Sequence, residues 1–334
     1  MKQYQINCMN FLYNNLIIKK MKKFLLLSGI AVFTSGAFIS CNQNNIEEPY
    51  NKRAEAEFSS NIIKIEQPKG RAAGEAWEES DSIGIFMLKE TSTDIVESKS
   101  NIKYVTDQAG KVGKFTAAGE IIYFPDNGEK VRFMSYYPYK NGITDTYNVS
   151  VLTQTNQAAI DLLYSFDDQA IYDKTTEDRK VTLNFEHQLS KVNIYVKRGD
   201  DLSETYLNNL TVQFAELNTL ADFDLMTGDL SITASPETIT TKEVSTINDY
   251  EKGYVAIILP EDPTADANMI FNINNGDGDS IEDDIFTWIF TNDIEFKQGK
   301  EYTFLVTIKR SGIVVDATIK DWVNGGPDKE IDAE

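Results

Sequence analysis

Along most of this chain apolar and polar residues alternate over runs of four to eight, the period of a half-buried strand. In the first half such runs lie at Ile62–Ile65, Ile83–Met87, Ile102–Thr106, Lys114–Thr116, Glu120–Phe124, Val131–Tyr137 and Tyr147–Leu152. In the second half they lie at Leu210–Ala215, Ala221–Leu225, Leu230–Thr233, Tyr254–Leu259, Met269–Ile273, Ile285–Phe290, Tyr302–Ile308 and Ile313–Ile319. Turn chemistry separates them, notably at residues 107–113, 126–130, 226–229 and 275–279. Gln157 to Ser165 holds room for one helical turn, and no amphipathic helix of three turns is visible. The pattern predicts an all-β protein of two tandem sandwiches. The polar, charged stretch 167–180 reads as the boundary, dividing residues 62–178 from 179–334.

One stretch breaks the alternation. In Val181–Val196, Leu183, Phe185, His187 and Leu189 share one parity, whereas Val192, Ile194 and Val196 share the other. A one-residue change flips every side chain unless the chain bulges or turns. Two strand segments with an irregularity near Ser190–Lys191 are expected, opening the second sandwich. His187 is the chain's one histidine. With no Cys, Ser or Asp constellation beside it in sequence, it reads as a buried, hydrogen-bonded core residue.

Composition narrows the function classes. A hydrophobic share of 41% in 334 residues suits a folded chain with room for two domains. The formal charge is −20, and a chain beginning at Cys41 keeps 27 basic and 52 acidic residues. Such a surface repels nucleic acid and anionic lipid. Both cysteines, Cys8 and Cys41, are near the N-terminus, so the body has neither a disulfide framework nor a thiolate nucleophile or metal ligand. No GxSxG, HExxH, GxGxxG or P-loop pattern is present. These gaps point away from an enzyme and from any cofactor. The acidic loop Asn275–Asp284 is not an EF-hand, since Ser280 and Phe286 stand where glycine and glutamate are needed. Trp77, Trp288 and Trp322 could stack on sugars, although each lies in or beside an apolar run and is expected in the core.

The N-terminus carries an address. Met21 starts a run with Lys22 and Lys23, an apolar segment Phe24–Phe33, small residues from Ser35 to Ser40, and then Cys41. This is the layout of a secretory signal over residues 1–40, with Met21 as the expected start. Its end resembles a bacterial lipobox, which implies cleavage before Cys41, acylation of that cysteine and attachment to a membrane. A plain signal peptide is the alternative. Residues 41–61 are polar and read as a lipidated tether. Glu47 and Glu48 resemble acidic residues that favour surface export in Bacteroidales lipoproteins.

The segments RAAGEAWEESDSIGIFM at 71–87, GKFTAAGEIIYFP at 113–125, VRFMSYYPY at 131–139, LNFEHQLSKVNIYV at 183–196 and KQGKEYTFLVTIKRSGIVVDATIKDW at 297–322 occur in this order. In that order the chain resembles the fimbrillin family of Bacteroidales, lipoprotein precursors of type V pilus subunits. The resemblance implies two transthyretin-like β-sandwich domains after the lipoprotein signal, export to the outer membrane surface and a non-enzymatic role. It implies that an Arg-specific protease cuts between Arg71 and Ala72, removing the strand matched by Asn61–Glu66. A strand from a neighbouring pilus subunit then fills the groove. The tail after Trp322 is short and polar, so a donor strand in this chain would be Gly312–Ile319. Implied partners are other pilus subunits and a host or bacterial surface ligand. The alternative is a surface lipoprotein that does not polymerise and binds glycans.

Overall fold

The computed structural model describes residues 53–62, 76–175, 179–273, 284–290, 294–322 and 329–331. The first eight strands are β1 (Glu57–Ile62), β2 (Ser82–Lys89), β3 (Ile102–Thr106), β4 (Val112–Ala117), β5 (Val131–Tyr137), β6 (Thr146–Ser150), β7 (Leu163–Phe166) and β8 (Lys180–His187). All but β6 close into a barrel in the order β1-β4-β3-β2-β5-β7-β8. A short 3-10 turn, Gln157–Ala159, occupies the one place where a helical turn is expected.

Ten further strands follow: β9 (Ser190–Arg198), β10 (Leu210–Asp224), β11 (Asp229–Thr240), β12 (Lys242–Val244), β13 (Lys252–Ile258), β14 (Asn268–Ile273), β15 (Asp284–Ile289), β16 (Lys300–Lys309), β17 (Gly312–Asp321) and β18 (Lys329–Ile331). They form two sheets, β11-β10-β14-β15 and β12-β13-β9-β16-β17-β18, and β6 joins the first of these against β10. The architecture is all-β, as the alternation predicts.

Alternation explains where each side chain goes. In β8 the odd residues Val181, Leu183 and Phe185 are buried in the barrel while the even ones face out. β2 and β5 do not alternate in sequence, because both their faces are covered. Ile83, Ile85 and Met87 of β2 enter the barrel core, while Phe86 and Leu88 enter the core between the two sheets. Met134 and Tyr136 of β5 join that second core, with Val192, Ile194, Phe214, Phe223, Phe271 and Phe304.

The parity break of Val181–Val196 turns out to be a change of sheet. β8 ends at His187 and β9 begins at Ser190 as an inner strand of the six-stranded sheet. Phe185 is therefore in the barrel core and Leu189 in the other. Strand pairing crosses residue 178 in both directions: β8 closes the barrel, and β6 pairs with Leu220–Asp224 of β10.

Several elements differ from the alternation. β10 is one 15-residue strand where two are expected. Its register shifts between Phe214 and Leu217 and again between Asn218 and Leu220, and there it exchanges β14 for β6 as neighbour. Glu120–Phe124 is not a strand but touches the run into β1, with Ile122 and Phe124 buried. β1 takes in Glu57–Asn61, which polarity alone assigns to the tether. Its only large apolar residues are Phe58 and Ile62, too few for an apolar run to reveal it.

Candidate functional site

β1 is the N-terminal strand of the barrel and is paired on both edges. It runs antiparallel to β4 over four residue pairs, Phe58↔Phe115 to Asn61↔Val112. It runs parallel to β8 over six, Glu57↔Lys180 to Ile62↔Phe185. Phe58, Ser60 and Ile62 point into the barrel. The Phe58 ring meets Tyr104 and Phe133 edge-on, at 5.0 and 5.1 Å between centroids. The approach to the strand is tied as well, through Ala56 N–H to the Ile122 carbonyl and Phe124 N–H to the Ala54 carbonyl.

The centre of this slot is crowded. Trp77 is 2% exposed and packs edge-on against Phe115, Phe185 and Tyr137, at 5.1, 5.2 and 5.4 Å. Ser60 lies opposite Gly113. A Cβ on Gly113 would come within 2.8 Å of the Ser60 Oγ, 2.6 Å of the Phe115 ring and 2.9 Å of the Trp77 ring. Ser60 is fully buried, and among the described residues neither its hydroxyl nor the Trp77 indole N–H has a hydrogen-bond partner. Neither Ser60 nor Gly113 stands out in the sequence, since only the long-range pairing of β1 with β4 brings them together.

A cavity of about 130 Å³ opens at the far end of β1, lined by Ile62, Trp77, Asp81, Tyr137, Asp161 and Trp322 among others. Asp81 accepts hydrogen bonds from the Glu78 N–H at 2.7 Å and the Tyr137 hydroxyl at 3.0 Å. Burial pushes the Asp81 carboxyl above its ordinary range despite these donors. Burial likewise pushes the Tyr137 hydroxyl up, and the Asp81 charge adds to the effect. His187 adjoins this region, 2% exposed, with Nδ1 2.8 Å from Asp161 Oδ1. Its ring stacks on Trp322 at 3.9 Å and 10°. It is buried and hydrogen-bonded, as expected for a core histidine.

The tryptophans offer no open platform. Trp77 and Trp322 are 2% and 7% exposed, and the half-buried Trp288 packs edge-on against Phe290 and Phe304. Of the acidic loop Asn275–Asp284 only Asp284 is described, and it accepts a hydrogen bond from the Tyr206 hydroxyl at 2.5 Å. No group of three or more His, Cys, Asp or Glu able to hold a metal ion occurs among the described residues. Cys41, Arg71 and Ala72 lie outside the described residues, as do Ile63–Glu66.

Residues 70–322 match the model of the fimbrillin-like family. A relative from Bacteroides uniformis, provisionally named fimbrium subunit Fim1C, is 33% identical over 289 residues, covering 84% of this chain and 90% of the relative. A crystal structure from Bacteroides uniformis ATCC 8492, of a provisionally assigned cell adhesion protein, superposes with a TM-score of 0.67 at 30% identity. It covers 82% of this chain and all of that one. A second such protein, from Bacteroides ovatus ATCC 8483, shares the fold with a TM-score of 0.61 at 19% identity, over 82% of this chain and 99% of that one. The chain belongs to the fimbrillin-like family.

Proposed function

We infer that this chain is a surface-exposed fimbrial subunit, made as a lipoprotein precursor and assembled by strand exchange. On this reading the signal segment is removed before Cys41, that cysteine is acylated, and the precursor is anchored in the outer membrane. An Arg-specific protease then cuts between Arg71 and Ala72. The observation that carries the reading is the position of β1, a barrel strand upstream of Arg71 and short enough to be released by that one cut. Cutting alone does not eject it, because two ladders hold it in place. A competing strand must take over those hydrogen bonds, since buried backbone groups left unpaired are costly.

The emptied slot would be walled by Trp77, Tyr104, Phe115, Phe133, Leu183 and Phe185, an apolar surface that water disfavours. Within this chain the donor is the Gly312–Ile319 part of β17. That strand is paired with β16 along its whole length and, among the described residues, with β18 over three residues. Partners are other fimbrial subunits, with a host or bacterial surface ligand for adhesion. The role is structural and not enzymatic. The glycan-binding alternative rests on the tryptophans and the all-β fold, and the burial of Trp77 and Trp322 gives it no support.

The test is limited trypsin digestion of the purified chain, read by mass spectrometry and electron microscopy. The expected result is a cut after Arg71 followed by ordered oligomers. A chain that resists cutting there and stays monomeric contradicts the reading.

A further inference from the structure

The wall of the β1 slot is not uniform, and its narrowest point constrains what can replace β1. Phe58 and Ile62 place large side chains on either side, whereas Ser60 between them is fully buried opposite Gly113, where the Phe115 and Trp77 rings lie only 2.6 and 2.9 Å from the place a Cβ would take. A branched or long side chain at this central position would have to enter the space beside Gly113 that the Trp77 and Phe115 rings already crowd, and overpacking a filled core destabilises it. Serine meets the size limit but leaves its hydroxyl buried with no partner among the described residues. A small apolar residue would meet the same limit without that cost. The outward face adds a second constraint. Ser59 lies opposite Lys114 of β4, and Lys180 of β8 pairs with Glu57. An acidic residue in the place of Ser59 would face a lysine directly across the ladder, which favours that register.

β17 carries both features. Val315, Ala317 and Ile319 share one face of that strand, and Val315 and Ala317 are buried in their own sheet. Placed with Ala317 on the position of Ser60, the strand sets Val315 on Phe58, Ile319 on Ile62 and Asp316 on Ser59, opposite Lys114. Ile313 then falls where the smaller Ala56 now lies, so the incoming strand departs from the path of β1 at that end. We propose that the slot selects its occupant by size at the Ser60 position, through Gly113 and Trp77, and that the occupant it fits is Val315–Ile319 of a second copy of this chain, with Ala317 at the centre. This rests on the strand-exchange reading above, including β17 as its donor, and adds to it a register and a specificity determinant. It also favours the exchange: Ala317 takes out of the barrel a buried hydroxyl that has no partner among the described residues.

The experiment uses the full chain cut with limiting trypsin, after which the protease is quenched. Labelled peptides are then added: Ser311–Ile319, the same peptide with Ala317→Leu or Asp316→Lys, and Ala54–Ile62 as the native occupant. The Ser311–Ile319 peptide is expected to bind in place of β1, with Ala317→Leu weaker by about tenfold or more. Asp316→Lys is expected to bind more weakly, with a difference that shrinks in high salt. Equal binding of the Ala317→Leu peptide overturns the size selection. Binding of Ala54–Ile62 without binding of Ser311–Ile319 overturns β17 as donor and leaves the strand-exchange reading standing. Failure of every peptide after β1 has left the barrel overturns both. In the uncut full chain, Ser60→Leu is expected to lower the melting temperature while Ser60→Ala preserves or raises it. A Ser60→Leu protein as stable as the parent would contradict the size limit independently of any peptide.

Discussion

His187 lies between two partners that hold it in different ways. Its Nδ1 faces the Asp161 carboxylate at 2.8 Å, an arrangement that puts the ring proton on Nδ1. Its face is covered by the Trp322 indole. Nothing on the ring is left open to a substrate, so the residue acts on stability. Replacing His187 with Gln is expected to cost about 2 kcal/mol, because a buried bond to a charged group is lost. Denaturant melts measure this, and strand exchange after trypsin is expected to be unchanged. Asp81 supplies a pH prediction of the same scale. Burial holds its folded pKa above the ordinary value of 3.8. The folded state therefore binds this proton more tightly than the unfolded chain does. The stabilisation is full below 3.8 and is lost as pH rises through the folded value. Melts of the parent and of Asp81→Asn between pH 3 and 8 are expected to show the parent losing ground to the variant as pH rises. A constant difference would show that Asp81 does not titrate differently in the two states.

At the scale of elements, parallel pairing between β9 and β16 brings Lys191 opposite Glu301. Their Nζ–Oε1 distance is 3.6 Å, both side chains are 9% exposed, and Asn193 Nδ2 donates to the same oxygen at 2.5 Å. A buried pair is a weak source of stability when whole and a large liability when halved. Glu301→Gln is therefore expected to destabilise by about 3 kcal/mol, and the double change Lys191→Met with Glu301→Leu by clearly less. Equal losses in the two proteins, measured by denaturant titration, would mean that the pair is not coupled. β10 illustrates how an element exceeds its sequence pattern. The irregularity between Phe214 and Leu220 resembles a loop when residues are considered singly. Paired against β11, β14 and β6, it is a bulged turn of one long strand, with Glu216 at φ 59°.

For the whole molecule, β2 and β5 form a wall shared by both cores. Their side chains alternate between the barrel interior and the space between the two sheets. Neither core is complete without these strands, so a single cooperative unfolding transition is expected, with equal calorimetric and van't Hoff enthalpies. Phe86→Ala, which opens a cavity at a fully buried position on the sandwich side, is expected to lower that one transition by about 3 to 5 kcal/mol. Two resolved transitions, only one of them shifted, would show that barrel and sandwich unfold independently. The same coupling leaves β1 as the strand whose exchange disturbs least, since it packs only in the barrel core and lies at its N-terminal end.

The alternation of residues determined a large part of this. All-β character, most strand positions, the burial of His187 and the core placement of Trp77 and Trp322 follow from local periodicity, because side-chain direction along a strand has a period of two. The order of segments from Arg71 to Trp322 also carried the family. Only the tertiary structure decided that the parity break after His187 is a passage from barrel to sandwich, that β6 crosses to β10, and that β8 closes the barrel against β1. Only it placed β1 at Glu57–Ile62, a strand with too few apolar residues to announce itself. The same holds for the narrow centre of the slot, where Ser60, Gly113, Trp77 and Phe115 come from distant parts of the chain. Such features depend on which strands become neighbours, a choice governed by the shape and satisfaction of the whole core and not by any local period.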